Sequence, residues 1–135
     1  MVPKIFLDTN IIIDFLEQRA FDLNSTNQLF TLIENNDIQA FVSESVITNT
    51  IYITNPADHI RLLLNIIDVI CIKKDTIKMA IKSNFKDKED GILYHGALDN
   101  KIDYFITRNK KDFIKYALKQ LPVLTPKEML ITMKT

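Results

Sequence analysis

The segment Ile5-Phe6-Leu7-Asp8-Thr9-Asn10-Ile11-Ile12-Ile13-Asp14 constrains the fold more than any other part of the chain. A short apolar run stops on a carboxylate, and a helical apolar pattern begins at once. This places Asp8 at the carboxyl end of a buried strand. In open α/β sheets, ligands bind outside such strand ends. Two further polar clusters sit at comparable junctions. Asp87-Lys88-Glu89-Asp90 opens a helical pattern, and Thr107-Arg108-Asn109-Lys110-Lys111-Asp112-Phe113 follows another apolar run. Carboxylates delivered from separate strand ends and helix starts suit a Mg²⁺ or Mn²⁺ site built of oxygen ligands.

The rest of the chain repeats the alternation of strand and helix. Lys4–Leu7 reads as the first strand, and Asn10 can cap the helix after it, with Ile12, Ile13, Phe15 and Leu16 on its apolar face. Asn24–Glu34 reads as a second helix, with Leu29, Phe30, Leu32 and Ile33 facing inward. Gln39–Val42 is a short strand, and Ser43 or Ser45 can cap a helix that runs to about Tyr52. Asn55-Pro56 places a cap before a proline at the first helical position, and that helix is expected to reach about Ile67. Val69–Ile72 is a third strand with Cys71 inside it, and Asp75–Ser83 a lysine-rich helix. Asp87 caps a helix over Lys88–Asn100 with Asp90 three residues on. Tyr104–Thr107 and Pro122–Leu124 are the last strands, and Thr125-Pro126 starts a final helix. This alternation predicts an α/β fold: one doubly wound domain over residues 1–135, with a central parallel sheet of about five strands flanked by helices.

Composition excludes several alternatives. The single cysteine, Cys71, rules out an internal disulfide and, with no signal-peptide pattern, points to the cytoplasm. The apolar run Leu62-Leu63-Leu64-Asn65-Ile66-Ile67 is too short to span a membrane. Net charge is zero, yet residues 1–70 hold three basic and nine acidic residues and residues 71–135 hold fourteen basic and eight acidic. Such asymmetry fits either a polyanionic partner at a basic face or a set of solvated helix-surface lysines. His59 and His95 have no metal-ligand spacing, and no glycine-rich nucleotide loop or nucleophile elbow is present.

Three blocks, in order and spacing, resemble the PIN-domain family, and within it the toxin-like (VapC-type) PIN proteins of toxin–antitoxin modules. They are Phe6-Leu7-Asp8-Thr9-Asn10, then Asp87-Lys88-Glu89-Asp90-Gly91-Ile92-Leu93-Tyr94 with Ala97, then Tyr104 through Phe113 with Val123-Leu124-Thr125-Pro126. The resemblance implies a metal-dependent ribonuclease that hydrolyses RNA phosphodiester bonds, with an antitoxin protein as partner and a homodimer as a possible assembly. It implies Asp8 and Asp90 as ligands of Mg²⁺ or Mn²⁺, Asp112 as a third catalytic carboxylate and Asn109 as a neutral ligand. Asn10, Asn49, Thr107, Arg108 and Lys110 would orient these groups or hold RNA phosphates.

The chain departs from the family's acidic pattern at two places. Counting six residues from Ser43, the position where relatives carry Glu holds Asn49, and the position after Thr107-Arg108 holds Asn109 rather than Asp. Asp87 and Glu89 read as cap and solvated residues, and Glu44 as surface. The reduced acidic set motivates one alternative, a catalytically weak PIN-like domain that binds RNA or a protein partner. A second alternative, a phosphatase with Asp8 as nucleophile, needs a second Asp at position 10, which is Asn.

Overall fold

A computed structural model describes residues 2–19, 22–54 and 57–135. Among these residues, five parallel strands form one sheet in the order β3-β2-β1-β4-β5. They are β1 (Lys4–Leu7), β2 (Gln39–Ser43), β3 (Ile67–Ile70), β4 (Tyr104–Ile106) and β5 (Val123–Leu124). Among the described residues, seven α-helices flank the sheet: α1 (Thr9–Glu17), α2 (Leu23–Glu34), α3 (Glu44–Thr54), α4 (Ala57–Leu63), α5 (Lys74–Lys82), α6 (Lys88–Asp99) and α7 (Pro126–Lys134). The expected parallel α/β architecture is therefore the observed one.

The central strand explains why the pattern was so readable. A strand covered on both faces carries a continuous apolar run rather than an alternating one. Ile5, Phe6 and Leu7 are all fully buried. Phe6 stacks on Phe105 of the neighbouring β4, with ring centroids 5.2 Å apart. Around the sheet α5 packs on α6, α2 on α7, and α1 on both α2 and α3.

Several local expectations are corrected. Asp8, not Asn10, caps α1: its side chain accepts the Thr9 N–H. The helix before β3 ends at Leu63 rather than near Ile67, and β3 is Ile67–Ile70 rather than Val69–Ile72. The apolar run Leu62–Ile67 suits helix and strand alike, and pairing with β2 decides, since Ala40 takes Ile67 as its partner. Cys71 consequently lies beyond the strand and is exposed, not buried. Ser43 serves as the cap of α3, its hydroxyl accepting the Val46 N–H at 3.3 Å. The Asn55-Pro56 cap falls outside the described residues. Thr125 and Glu128 cap α7 reciprocally, with Pro126 in the first turn. Among the described residues, no helix is long and apolar enough to cross a membrane.

Candidate active site

Asp8 and Thr107 are brought side by side by strand register. Leu7 pairs with Ile106, so the next residue of each strand emerges at the same sheet end. The Asp8 N–H extends the ladder by one bond to the Ile106 carbonyl, at 3.0 Å. The two carboxylate oxygens of Asp8 are then divided between two donors. Oδ1 accepts the Thr9 N–H at 2.8 Å, and Oδ2 accepts the Thr107 hydroxyl at 2.9 Å. Thr107 is fully buried, and its oxygen in turn accepts the Asn109 N–H at 3.0 Å. One buried hydroxyl thus couples the first acid to the loop after β4. Asp8 is only 7% exposed, and burial pushes its carboxyl above the ordinary value despite these donors.

The first turn of α6 supplies the second group of acids. The Asp87 side chain caps the helix by accepting the Asp90 N–H at 3.1 Å, as its position predicts. Asp90 is raised from 3.8 to about 7, first by burial and then by repulsion from Asp87, Asp8, Asp112 and Glu89. Asp112 comes from a 3-10 turn over Lys110–Asp112, pinned by the buried Phe113 against Phe105 at 4.7 Å.

Asp8, Asp90, Asp112, Asn109, Asn10 and Asn49 all line one cleft of about 450 Å³ at the carboxyl ends of the strands. Asp87, the helix cap, and Glu89, which is exposed as expected, border it as well. Asn49 donates its amide to the Glu89 carboxylate at 3.1 Å, which holds Glu89 toward the cleft from the neighbouring helix. Glu44 is exposed and is not part of the cleft.

Two basic residues expected at the site are engaged elsewhere. Arg108 Nη1 lies 3.2 Å from Asp14, and Lys110 Nζ lies 2.9 Å from Glu128. Each is thus paired with a carboxylate that does not line the cleft. Asp14 is the residue that sequence reasoning missed: it is 2% exposed and also accepts from Arg19 Nε at 2.7 Å. The available signal was a lone carboxylate inside the apolar run of α1, which calls for a cationic partner. Tyr94 is core, its hydroxyl donating to the Leu121 carbonyl at 2.7 Å, so it offers no stacking face.

The donor set fits a hard divalent ion. It consists of oxygens, and the acids repel one another when nothing positive lies between them. Among the described residues, no three Asp, Glu, His or Cys side chains close into a ready ligand group. The cleft is therefore an open acidic rim rather than a closed cage. That suits Mg²⁺ or Mn²⁺, which bind through one or two carboxylates and keep several waters.

Comparison with known proteins adds four observations. A family model described as PIN domain matches residues 4–111. Ribonuclease VapC1 of Aquifex aeolicus (strain VF5) is 28% identical over 102 residues, covering 67% of this chain and 71% of that one. A toxin–antitoxin complex from Klebsiella pneumoniae contains a chain with a TM-score of 0.66 at 24% identity, covering 90% of this chain and 96% of its own. VapBC2 from Rickettsia felis, bound to a DNA fragment from their promoter, gives a TM-score of 0.63 at 15% identity, with 90% and 98% covered.

Proposed function

The chain belongs to the PIN-domain family, and we propose that it is a metal-dependent endoribonuclease, the toxin of a toxin–antitoxin module. The observation that carries the reading is the meeting of Asp8, Asp90 and Asp112 in one open cleft at the strand ends. The similarity to a protein named ribonuclease VapC1 supports the activity. The likeness to chains of two toxin–antitoxin complexes supports the module.

Asp8 and Asp90 would hold Mg²⁺ or Mn²⁺ directly or through water, with Asp112 as third carboxylate and Asn109 as neutral donor. A bound divalent ion supplies an activated water and neutralises charge that builds on the phosphate oxygens. Thr107 fixes one Asp8 oxygen and the Thr9 N–H fixes the other, so this carboxylate is preorganised before substrate arrives. Asn49 holds Glu89 in place, and Glu89 adds negative charge where Asn49 itself has none. Asn10 borders the same cleft, beside the capped start of α1.

The antitoxin is the partner that would close this cleft. Tyr52 is 91% exposed and Ile53 60%, and both border the acidic rim. Apolar groups in that position favour a protein surface over bulk water. A homodimer is tested separately, by the mass of the isolated chain in solution.

The test is Mn²⁺-supported cleavage of single-stranded RNA by the parent and by Asp8→Asn and Asp90→Asn. Both variants should lose cleavage while keeping the helical circular dichroism of the parent. Undiminished cleavage by a variant carrying both Asp8→Asn and Asp90→Asn would overturn the assignment. The second reading, binding without cleavage, draws on the neutral Asn49 and Asn109 and the open acidic rim. A parent that binds RNA and Mn²⁺ yet leaves the RNA intact would establish it.

A further inference from the structure

A second cleft, of about 540 Å³, adjoins the acidic one and shares Asp87, Asp90 and Asp112 with it. Its other lining residues are Lys86, Lys111, Lys115 and Tyr116. The three lysines are exposed, and among the described residues none forms an ion pair. They differ in this from Arg108 and Lys110, whose charges are met by Asp14 and Glu128. The surface beneath them is fixed. Tyr116 stacks on Phe85 with centroids 4.3 Å apart, and its hydroxyl accepts the Lys86 N–H at 3.1 Å. Lys115 Nζ lies 5.1 Å from the Tyr116 ring centre.

We infer that Lys86, Lys111 and Lys115 form the track for the RNA strand flanking the scissile phosphate. This rests on the ribonuclease reading and deepens it. The acidic rim alone repels a polyanion, so substrate needs a neighbouring source of attraction. Free ammonium groups on the far side of the same acidic wall supply it, and they hold phosphates without reading sequence. The basic excess of residues 71–135 is then partly accounted for, since all three lysines belong to that half.

The test compares two triple variants of equal charge. One carries Lys86→Gln, Lys111→Gln and Lys115→Gln. The other carries Lys74→Gln, Lys78→Gln and Lys82→Gln on the exposed face of α5. Binding of a fluorescein-labelled single-stranded oligouridylate is followed by anisotropy across a salt series, and Mn²⁺ binding by calorimetry. The track variant should bind the RNA at least ~10-fold more weakly, with the slope of log K against log salt reduced by about 2. Its Mn²⁺ affinity should hold or tighten, because cations beside the acids have been removed. The α5 variant should keep most of the parent's affinity and slope. Equal losses in both variants, or no loss in the track variant, would overturn the track while leaving the nuclease reading intact. A parent that binds no RNA would overturn both.

Discussion

Glu89 is turned toward the cleft by a single amide, that of Asn49. At the scale of the residue, this pairing changes what substitution should do. Asn49→Glu adds a carboxylate beside Glu89. With an ion present, one added charge in a partly exposed site contributes about 1–2 kcal/mol after desolvation, or roughly tenfold tighter Mn²⁺. Without an ion, the two carboxylates repel. Asn49→Glu is therefore expected to tighten Mn²⁺ in calorimetry and to lower the melting temperature of the metal-free protein. Glu89→Gln should weaken Mn²⁺ binding, and Glu44→Gln should leave it unchanged. Loss of binding in Glu44→Gln alone would mean that the wrong acid has been assigned.

Asp14 belongs to the same scale. Its buried carboxylate serves both Arg19 and Arg108, and Arg108 sits between Thr107 and Asn109 in the loop that reaches Asp8. Removing the carboxylate leaves two partly covered cations without a partner. The guanidinium groups retain some water, so the cost is expected near the lower end of the range for broken buried pairs, about 3 kcal/mol. Asp14→Asn should destabilise by about that amount in urea. A double-mutant cycle with Arg108→Met should return a coupling of about 1–2 kcal/mol. A coupling near zero would show that the two side chains do not hold each other.

At the scale of the element, the first turn of α6 is placed by close packing. A Cβ on Gly91 would meet Phe85 Cβ at 3.0 Å and Cγ at 3.2 Å. Those atoms lie near the backbone of their own residue and cannot swing away. Alanine in a helix is ordinarily better than glycine by up to about 1 kcal/mol. Here overpacking, at about 1–3 kcal/mol, should outweigh that gain. Gly91→Ala is expected to lower stability by about 1 kcal/mol and to weaken Mn²⁺ binding, because Asp90 is the residue before it. A raised melting temperature would show that the helix is not held so close.

The elements also explain what could be read from the chain and what could not. Lys4–Leu7 and Lys88–Asp99 are legible because a carboxylate marks a boundary of each, Asp8 after the strand and Asp87 before the helix, and both border the cleft. The α4–β3 boundary was not, because an apolar run without punctuation leaves register to the neighbouring strand. The pairing of Arg108 and Lys110 was not legible, because their partners Asp14 and Glu128 are distant in the chain. The contact between Glu89 and Asn49 was hidden for the same reason, since the two lie forty residues apart.

At the scale of the whole molecule, the acidic cleft should make stability depend on pH in opposite senses with and without metal. Asp90 has its folded pKa raised from 3.8 to about 7, and that of Asp8 is raised as well. Between those values the folded protein binds protons that the unfolded chain has released, so stability falls as pH rises through that window. His95 works against this. Burial lowers its pKa from 6.5, which makes stability rise with pH just below that value. The difference between parent and Asp90→Asn isolates the acid. A displacement from 3.8 to about 7 corresponds to about 4 kcal/mol at full strength. Screening across the open cleft leaves about 1–2 kcal/mol. Asp90→Asn should therefore match the metal-free parent near pH 4 and exceed it by that amount near pH 8. Mn²⁺ reverses the comparison, because ligand carboxylates must be ionised before they bind. At a hundred times its dissociation constant, an ion that binds only the folded state contributes about 2.7 kcal/mol, a rise of about 10 °C for a chain of this size. The parent should gain that near pH 8 and almost none near pH 4, and Asp90→Asn should gain little at either. Thermal melts of both proteins with and without Mn²⁺ decide the matter. An equal metal shift at the two pH values in the parent would mean that the ion does not sit among these acids.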